Sequence, residues 1–551
     1  MKKNVTRGIS VVAASVMFTA LAAGCNGNSS TTVGDGTQTN FSVFITSTAN
    51  PPSDDNKLLQ KIKDELGYTF DFEYLVGNED EKIGVMIAGG TYDDLVACNQ
   101  KSATKLIEAG ALIPLDEYIT EEETPNLYTH MKPIMNKCKY EDGHLYVLPN
   151  YNRLYGEDHE AVYQGPAFWM QKAVLAEFGY PEVKTLDQYF DLIENYKAKY
   201  PQINGMDTIG FEVLATTGYE WVLTTAPNYL DGNPNNGSVV VDNDTYEAHI
   251  YANTDTSKKY FKKLNEEYSK GMVDAEAFTQ NKDQYLSKIS SGRVLGMFDQ
   301  HWVFQSAEDS LKQQKLIERQ YVPLPITYDE SINPWYRDQA VLNINKGYGV
   351  SVNCKDPKAA VKMLDTFISE EWQKIFSWGI EGEDYIVNEE GRYCRTDEMR
   401  NQQADSVWKT KNKLEAFFDA MPKIQGQFSD GNGSGPSKQV EEFQASLSDY
   451  DKEFLANYGK KTWMDFLNEE RENPVYYPAW DIDLVDASDA DYANQKLTDI
   501  SVKHLTKMIA SGNSFEQEWE SYCKDIEGVN VKAYEDRINE VIQWRLENWA
   551  E

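Results

Sequence analysis

Between residues 41 and 97 two hydrophobic patterns alternate, and the alternation leaves few folds open. Residues 41–46 (FSVFIT) read as a buried strand, and residues 57–66 carry a helical repeat that stops at Gly67. Residues 69–75 (TFDFEYL) alternate with period two, residues 81–88 are helical up to Gly89-Gly90, and residues 94–97 begin a third strand. The order β-α-β-α-β with short glycine turns predicts a parallel α/β sheet. Sheets of that kind bind ligands at the carboxyl ends of their strands.

The pattern continues less regularly along the 551 residues, a length that suits two or more domains. Residues 143–149 (GHLYVLP) predict a strand, and residues 168–178 predict a helix ended by Gly179. Thr185 is an N-cap candidate for a helix over 186–199. Further helices are expected over 258–270 and 284–290, then a strand over 292–298 (GRVLGMF). A strand over 350–352 and a helix over 356–370, opened by Asp356-Pro357, follow. Beyond about residue 400 the chain is helix-rich, ending in the amphipathic stretch 534–549.

The amino terminus has its own logic. Lys2, Lys3 and Arg7 precede the uncharged run GISVVAASVMFTALAA, and Gly24-Cys25 follows at once. A positive start, a short apolar stretch and small residues before a cut mark residues 1–24 as a secretory signal peptide. Leu21–Cys25 (LAAGC) resembles a bacterial lipobox, which implies a lipidated Cys25, and residues 25–40 read as that cysteine and a flexible tether. The protein is therefore expected outside the cytoplasm, tied to the cell membrane by lipid alone. Five more cysteines (98, 138, 354, 394 and 523) are widely spaced, with no metal-ligand spacing. A formal charge of −35 argues against a nucleic-acid partner, which needs a basic surface. No G-x-S-x-G, H-E-x-x-H, Walker A or G-x-G-x-x-G motif occurs.

Several blocks, in order, resemble the extracellular solute-binding proteins of bacterial ABC importers, in particular the large lipoprotein branch that serves oligosaccharide uptake. They are residues 81–96 (EKIGVMIAGGTYDDLV), 109–118 (AGALIPLDEY), 143–149, 175–189 (LAEFGYPEVKTLDQY), 347–365 (GYGVSVNCKDPKAAVKMLD), 378–385 (WGIEGEDY) and 509–519 (IASGNSFEQEW). The resemblance implies a two-lobed α/β, periplasmic-binding-protein-like fold with hinge crossover strands and a helix-rich C-terminal part. It implies an oligosaccharide ligand, docking on ABC permease subunits, no cofactor and no catalysis. One lobe is expected from 41–150 plus about 305–400, the other from about 151–304 plus 401–551. Many large members carry a calcium loop where this chain has residues 200–210 (YPQINGMDTIG), with too few oxygen side chains for such a shell.

A sugar presents hydroxyl rims and apolar C–H faces, so its site needs flat aromatic rings beside hydrogen-bonding side chains. Three places offer that mixture: Tyr151-Asn152-Arg153 with Tyr155; Asp299 with Trp302; and Trp378, Glu381 and Tyr385. Trp221 and Trp335 are further candidates, whereas Trp463, Trp480, Trp519, Trp544 and Trp549 read as packing residues. A peptide or other polar solute is the alternative ligand, and an exported glycoside hydrolase or a surface adhesin the alternative class.

Overall fold

The computed structural model describes residues 39–47, 50–140, 142–216, 218–242, 244–337, 342, 344, 346–467, 479, 482–510 and 514–549. The signal peptide, Cys25, nearly all of the tether and Trp480 lie outside these residues. Among the described residues no helix is long and apolar enough to cross a membrane.

The chain opens with β1 (Thr39–Ile45), α1 (Lys57–Leu66), β2 (Tyr68–Tyr74), α2 (Glu79–Gly89), β3 (Leu95–Cys98) and α3 (Gln100–Glu108). Then come α4 (Pro125–Met131), β4 (Val147–Pro149) and β5 (Asn152–Tyr155). β1 pairs in parallel with β2 and β3, as the alternation predicts. Asn56 caps α1 through its side chain, and Gly67 ends it in the left-handed region at φ 73°.

A second unit follows: β6 (Pro166–Gln171), α5 (Lys172–Glu177), α6 (Leu186–Lys199), β7 (Gln202–Ile203), β8 (Met206–Asp207), β9 (Ile209–Glu212) and α7 (Glu220–Leu230). It continues through β10 (Val239–Val241), β11 (Ala248–Ile250), α8 (Asp255–Ser269), α9 (Lys282–Ser290), β12 (Val294–Gln300), α10 (His301–Gln313) and β13 (Tyr321–Leu324). Thr185 caps α6 in a reciprocal capping box with Gln188. Residues 200–210 form the tight β7–β8 hairpin around Asn204-Gly205, and Asp207 accepts a hydrogen bond from Gln202.

The chain then returns through β14 (Gly347–Val350), α11 (Pro357–Phe367), α12 (Glu370–Ser377), β15 (Ile386–Val387), β16 (Tyr393–Cys394), α13 (Asp397–Gln403), α14 (Ser406–Asn412), α15 (Glu415–Asp419) and β17 (Lys423–Gly426). It closes with α16 (Val440–Ser446), α17 (Asp449–Tyr458), α18 (Asp489–Ala510), α19 (Phe515–Glu527) and α20 (Val531–Asn548).

Two main sheets result, β2-β1-β3-β14-β4 and β13-β6-β12-β9. Each sits in its own apolar core. One core, with a satellite cluster, joins residues 41–148 to 342–421, and the other joins 161–336 to 443–542. The expected lobe boundaries shift accordingly. α10 and β13, residues 301–324, belong to the second lobe because β13 pairs with β6 and Phe304 and Leu311 pack in that core. Residues 401–421 belong to the first lobe, where Leu414, Phe417 and Met421 are buried.

The expected helix over 168–178 is a strand in its first half. Pro166–Gln171 is buried on both faces between β12 and β13, and only Lys172–Glu177 is helical. A strand covered on both sides has a continuous apolar run, which periodicity cannot distinguish from a buried helix. The expected strand over 143–149 is confined to its last three residues.

Candidate functional site

The site is built where parallel strands of the second lobe end. β9 and β12 run parallel, and each passes by a turn or short loop into a helix, α7 or α10. The first turn of α7 carries Trp221 and the first turn of α10 carries Trp302. Their rings lie 6.0 Å apart at 22°, and Trp302 keeps 51% of its surface exposed. Tyr219 extends the row, its centroid 6.3 Å from that of Trp221. The indole N–H of Trp302 donates to Gln300 Oε1, and that of Trp221 donates to the Gly218 carbonyl at 3.1 Å. Lys282 Nζ sits 5.0 Å over the Tyr219 ring and donates to its hydroxyl at 3.1 Å. Aromatic rings with amide, hydroxyl and ammonium groups beside them suit a polyhydroxylated ligand.

Asp299 supports this row from beneath. It is 0% exposed; Oδ2 accepts from the Tyr285 hydroxyl at 2.7 Å and Oδ1 from the Gln300 backbone N–H at 2.7 Å. Burial pushes its carboxyl up to about 7, while those hydrogen bonds and the Lys282 charge favour the ionised form. On the neighbouring strand, burial and then the negative charge of Asp274 push Glu212 up to about 8. His301 is held between Gln164 Oε1 at 3.1 Å and Glu308 Oε2 at 2.7 Å, directly under Trp169, whose ring centroid is 5.2 Å away.

The other expected residues lie elsewhere. Tyr151, Asn152, Arg153 and Tyr155 belong to the crossover, where β5 pairs in parallel with β17. The Tyr155 ring packs against His130, stacked at 6.2 Å, and has the Arg153 guanidinium 4.8 Å from its centroid. Tyr151 packs half-buried against the first core, and Asn152 is exposed. A crevice of about 460 Å³ opens beside this ribbon, lined by residues including Asn126, His130, Tyr155, Glu370 and Gln427.

Trp378 is 0% exposed and donates to the Gly433 carbonyl at 2.9 Å, and Tyr385 is buried against it and Tyr393. Glu381 is exposed on the loop outside that cluster. Trp335 is buried beside Tyr336, where the chain leaves the second lobe. Of the expected residues the structure thus brings together Trp221, Trp302 and Asp299. Tyr219, Gln300 and Lys282 join them unanticipated; Gln300 had one signal, its place between two named residues at a strand end.

Among the described residues no grouping of His, Cys, Asp and Glu could hold a metal ion. Cys98, Cys138, Cys354, Cys394 and Cys523 are free thiols.

Known proteins agree with this architecture. A fructooligosaccharide ABC transporter substrate-binding protein, FusA of Streptococcus pneumoniae serotype 4, is 22% identical over 505 residues, covering 88% of this chain and 86% of its own. The structure of S. pneumoniae FusA in complex with kestose superposes with a TM-score of 0.66 at 18% identity, covering 92% of this chain and 99% of that one. An HMO-binding solute-binding protein from Bifidobacterium longum infantis gives 0.65 at 15% identity, with coverage of 93% and 99%. The family model described as "Bacterial extracellular solute-binding protein" matches residues 57–383, well over half of the chain, and on that match the chain belongs to the bacterial extracellular solute-binding protein family.

Proposed function

We propose that this protein is the lipid-anchored substrate-binding component of an ABC importer, which captures an oligosaccharide between its lobes and presents it to a permease. The observation that carries the ligand class is the stacked Trp221–Trp302 pair, with Trp302 half exposed, Gln300 bonded to it and Lys282 over the adjoining Tyr219 ring. Flat rings take the C–H faces of a sugar, and the polar groups beside them take its hydroxyls. Relatives whose names state a fructooligosaccharide or HMO ligand support the same class. The family is one of binding rather than catalysis. Hinge motion about the β5–β17 ribbon would close the lobes, and a ligand favours closure only as far as it binds the closed form better.

The test is a thermal-shift screen of residues 26–551 against a glycan panel, with amino acids and peptides included. A ligand that binds only the folded state raises the midpoint. Saturable shifts with one oligosaccharide series support the proposal, shifts with peptides alone replace the ligand class, and glycan cleavage would refute the binding role. The anchor has its own check: Cys25→Ala should move the protein from the membrane fraction to the medium or soluble extract. Retention on membranes would refute lipidation at that residue.

A further inference from the structure

Asp299 holds a position that contact with a ligand does not explain. Its side chain is fully buried, so it cannot touch a bound solute, yet it stands one residue before Gln300, whose side chain holds the Trp302 indole. Burying a carboxylate is costly unless its oxygens are bonded, and both oxygens here are bonded to one end of the site. One takes the Gln300 N–H at the turn from β12 into α10, and the other takes the Tyr285 hydroxyl from α9. The strand is fixed at the same point by Trp169, whose indole donates to the Asp299 carbonyl oxygen at 2.7 Å.

We propose that Asp299 is the positioning residue of the aromatic row: its ionised carboxylate locks the turn at Gln300 and thereby sets the stack of Trp302 on Trp221. The inference rests on the reading that this row meets the ligand, but its consequence is visible without any ligand. Charge-assisted hydrogen bonds are about twice as strong as neutral ones. Protonation on Oδ2 would turn the Tyr285 hydroxyl from donor to acceptor and leave neutral bonds in place of charge-assisted ones. Ionised Asp299 therefore gives the tighter turn, and protonation loosens it. The groups that face it are Lys282 and Tyr285 of α9; β6 offers Ala167 in register; on α10 His301 is taken by Gln164 and Glu308; on β9 Glu212 is bonded to Gln280.

The readout is exciton circular dichroism. Trp221–Trp302 is the one pair of tryptophan rings in contact among the described residues, and stacked indoles couple their transitions. In the ligand-free protein, Trp302→Phe assigns the couplet by removing it. The wild-type couplet should then grow as pH rises from about 6 to about 8, while Asp299 goes from about one-tenth to about nine-tenths ionised around its value of about 7. Asp299→Asn, which copies the protonated shape, should show the weak couplet at every pH. Tyr285→Phe, a second variant in case the first fails to fold, removes a bond that favours the ionised form and should move the midpoint to higher pH.

Fold stability separates positioning from a general structural role. A carboxyl raised by burial binds its proton more tightly in the folded state. Its contribution to stability therefore falls as pH rises from about 4 to about 7, opposite to the couplet. A couplet that Trp302→Phe removes but that is flat with pH would overturn the proposal. So would an Asp299→Asn protein with the wild-type pH rise, or an unmoved midpoint in Tyr285→Phe. A glycan screen without hits would leave these spectra unchanged and would refute only the ligand class.

Discussion

Trp302 leaves half of its surface in solvent and Trp378 leaves none, so alanine at the two positions separates binding from folding. Trp302→Ala removes a half-exposed ring stacked on Trp221. It should weaken ligand binding by about 2 kcal/mol, as buried aromatic anchors do, and hold the melting midpoint nearly constant. Trp378→Ala empties a closed aromatic cluster and should cost about 3–5 kcal/mol of stability, measured by urea unfolding. Both tryptophans stood out in the sequence for the same chemical reason. Their difference was not legible there, because exposure is decided by Tyr385, Tyr393 and Phe428 packing over one ring and by a strand end leaving the other open. The sequence offered Asp299 as a ligand contact, whereas its side chain is fully buried; its place beneath the row depends on Tyr285, fourteen residues away on another element.

The crossover ribbon is where elements rather than residues decide the behaviour. Gly426 lies at φ 82°, and a Cβ there would meet the Tyr155 carbonyl oxygen at 2.4 Å. Gly426→Ala should therefore push β17 off β5 and cost about 1–3 kcal/mol, read as a lower unfolding midpoint. His130 of α4 braces the same ribbon through the Tyr151 carbonyl at 3.2 Å and the Tyr155 hydroxyl at 3.4 Å. Burial pulls its value down to about 4, so it is neutral in the fold at neutral pH. The unfolded chain binds that proton first, so stability contributed by a neutral His130 is present above about 6.5 and is lost as pH falls through about 4. Wild type should thus lose more stability than His130→Gln between pH 7 and pH 4, measured by parallel urea titrations. At this scale the sequence was informative wherever a local signal existed: Asn56 and Thr185 cap helices at the predicted boundaries, and Gly67 ends one. It failed for Pro166–Gln171, whose state is set by two partner strands that no local pattern reveals.

Across the whole molecule the first lobe meets the C-terminal helical region away from the crossover ribbon. Thr104 donates to Asp483 at 3.0 Å, and Lys101 and Lys105 approach Asp486 at 3.4 and 3.6 Å. These charges are solvent-exposed, so Asp486→Ala should change the unfolding free energy by no more than about 1 kcal/mol. A larger loss in urea titration would mean that the contact supports the fold. The two-lobed plan was legible from ordered blocks spread over the chain, while the return point was not. α10 and β13 carry no mark of their lobe, and it is pairing with β6 that assigns them. That late return shapes how the protein comes into being. The second core needs residues 161–336 together with 443–542, and the second part of the first lobe, residues 342–421, is threaded between them. A chain emerging amino end first can settle its first lobe once about residue 421 is out. Its second lobe must wait, with apolar surface uncovered, until the last hundred residues arrive to cover it.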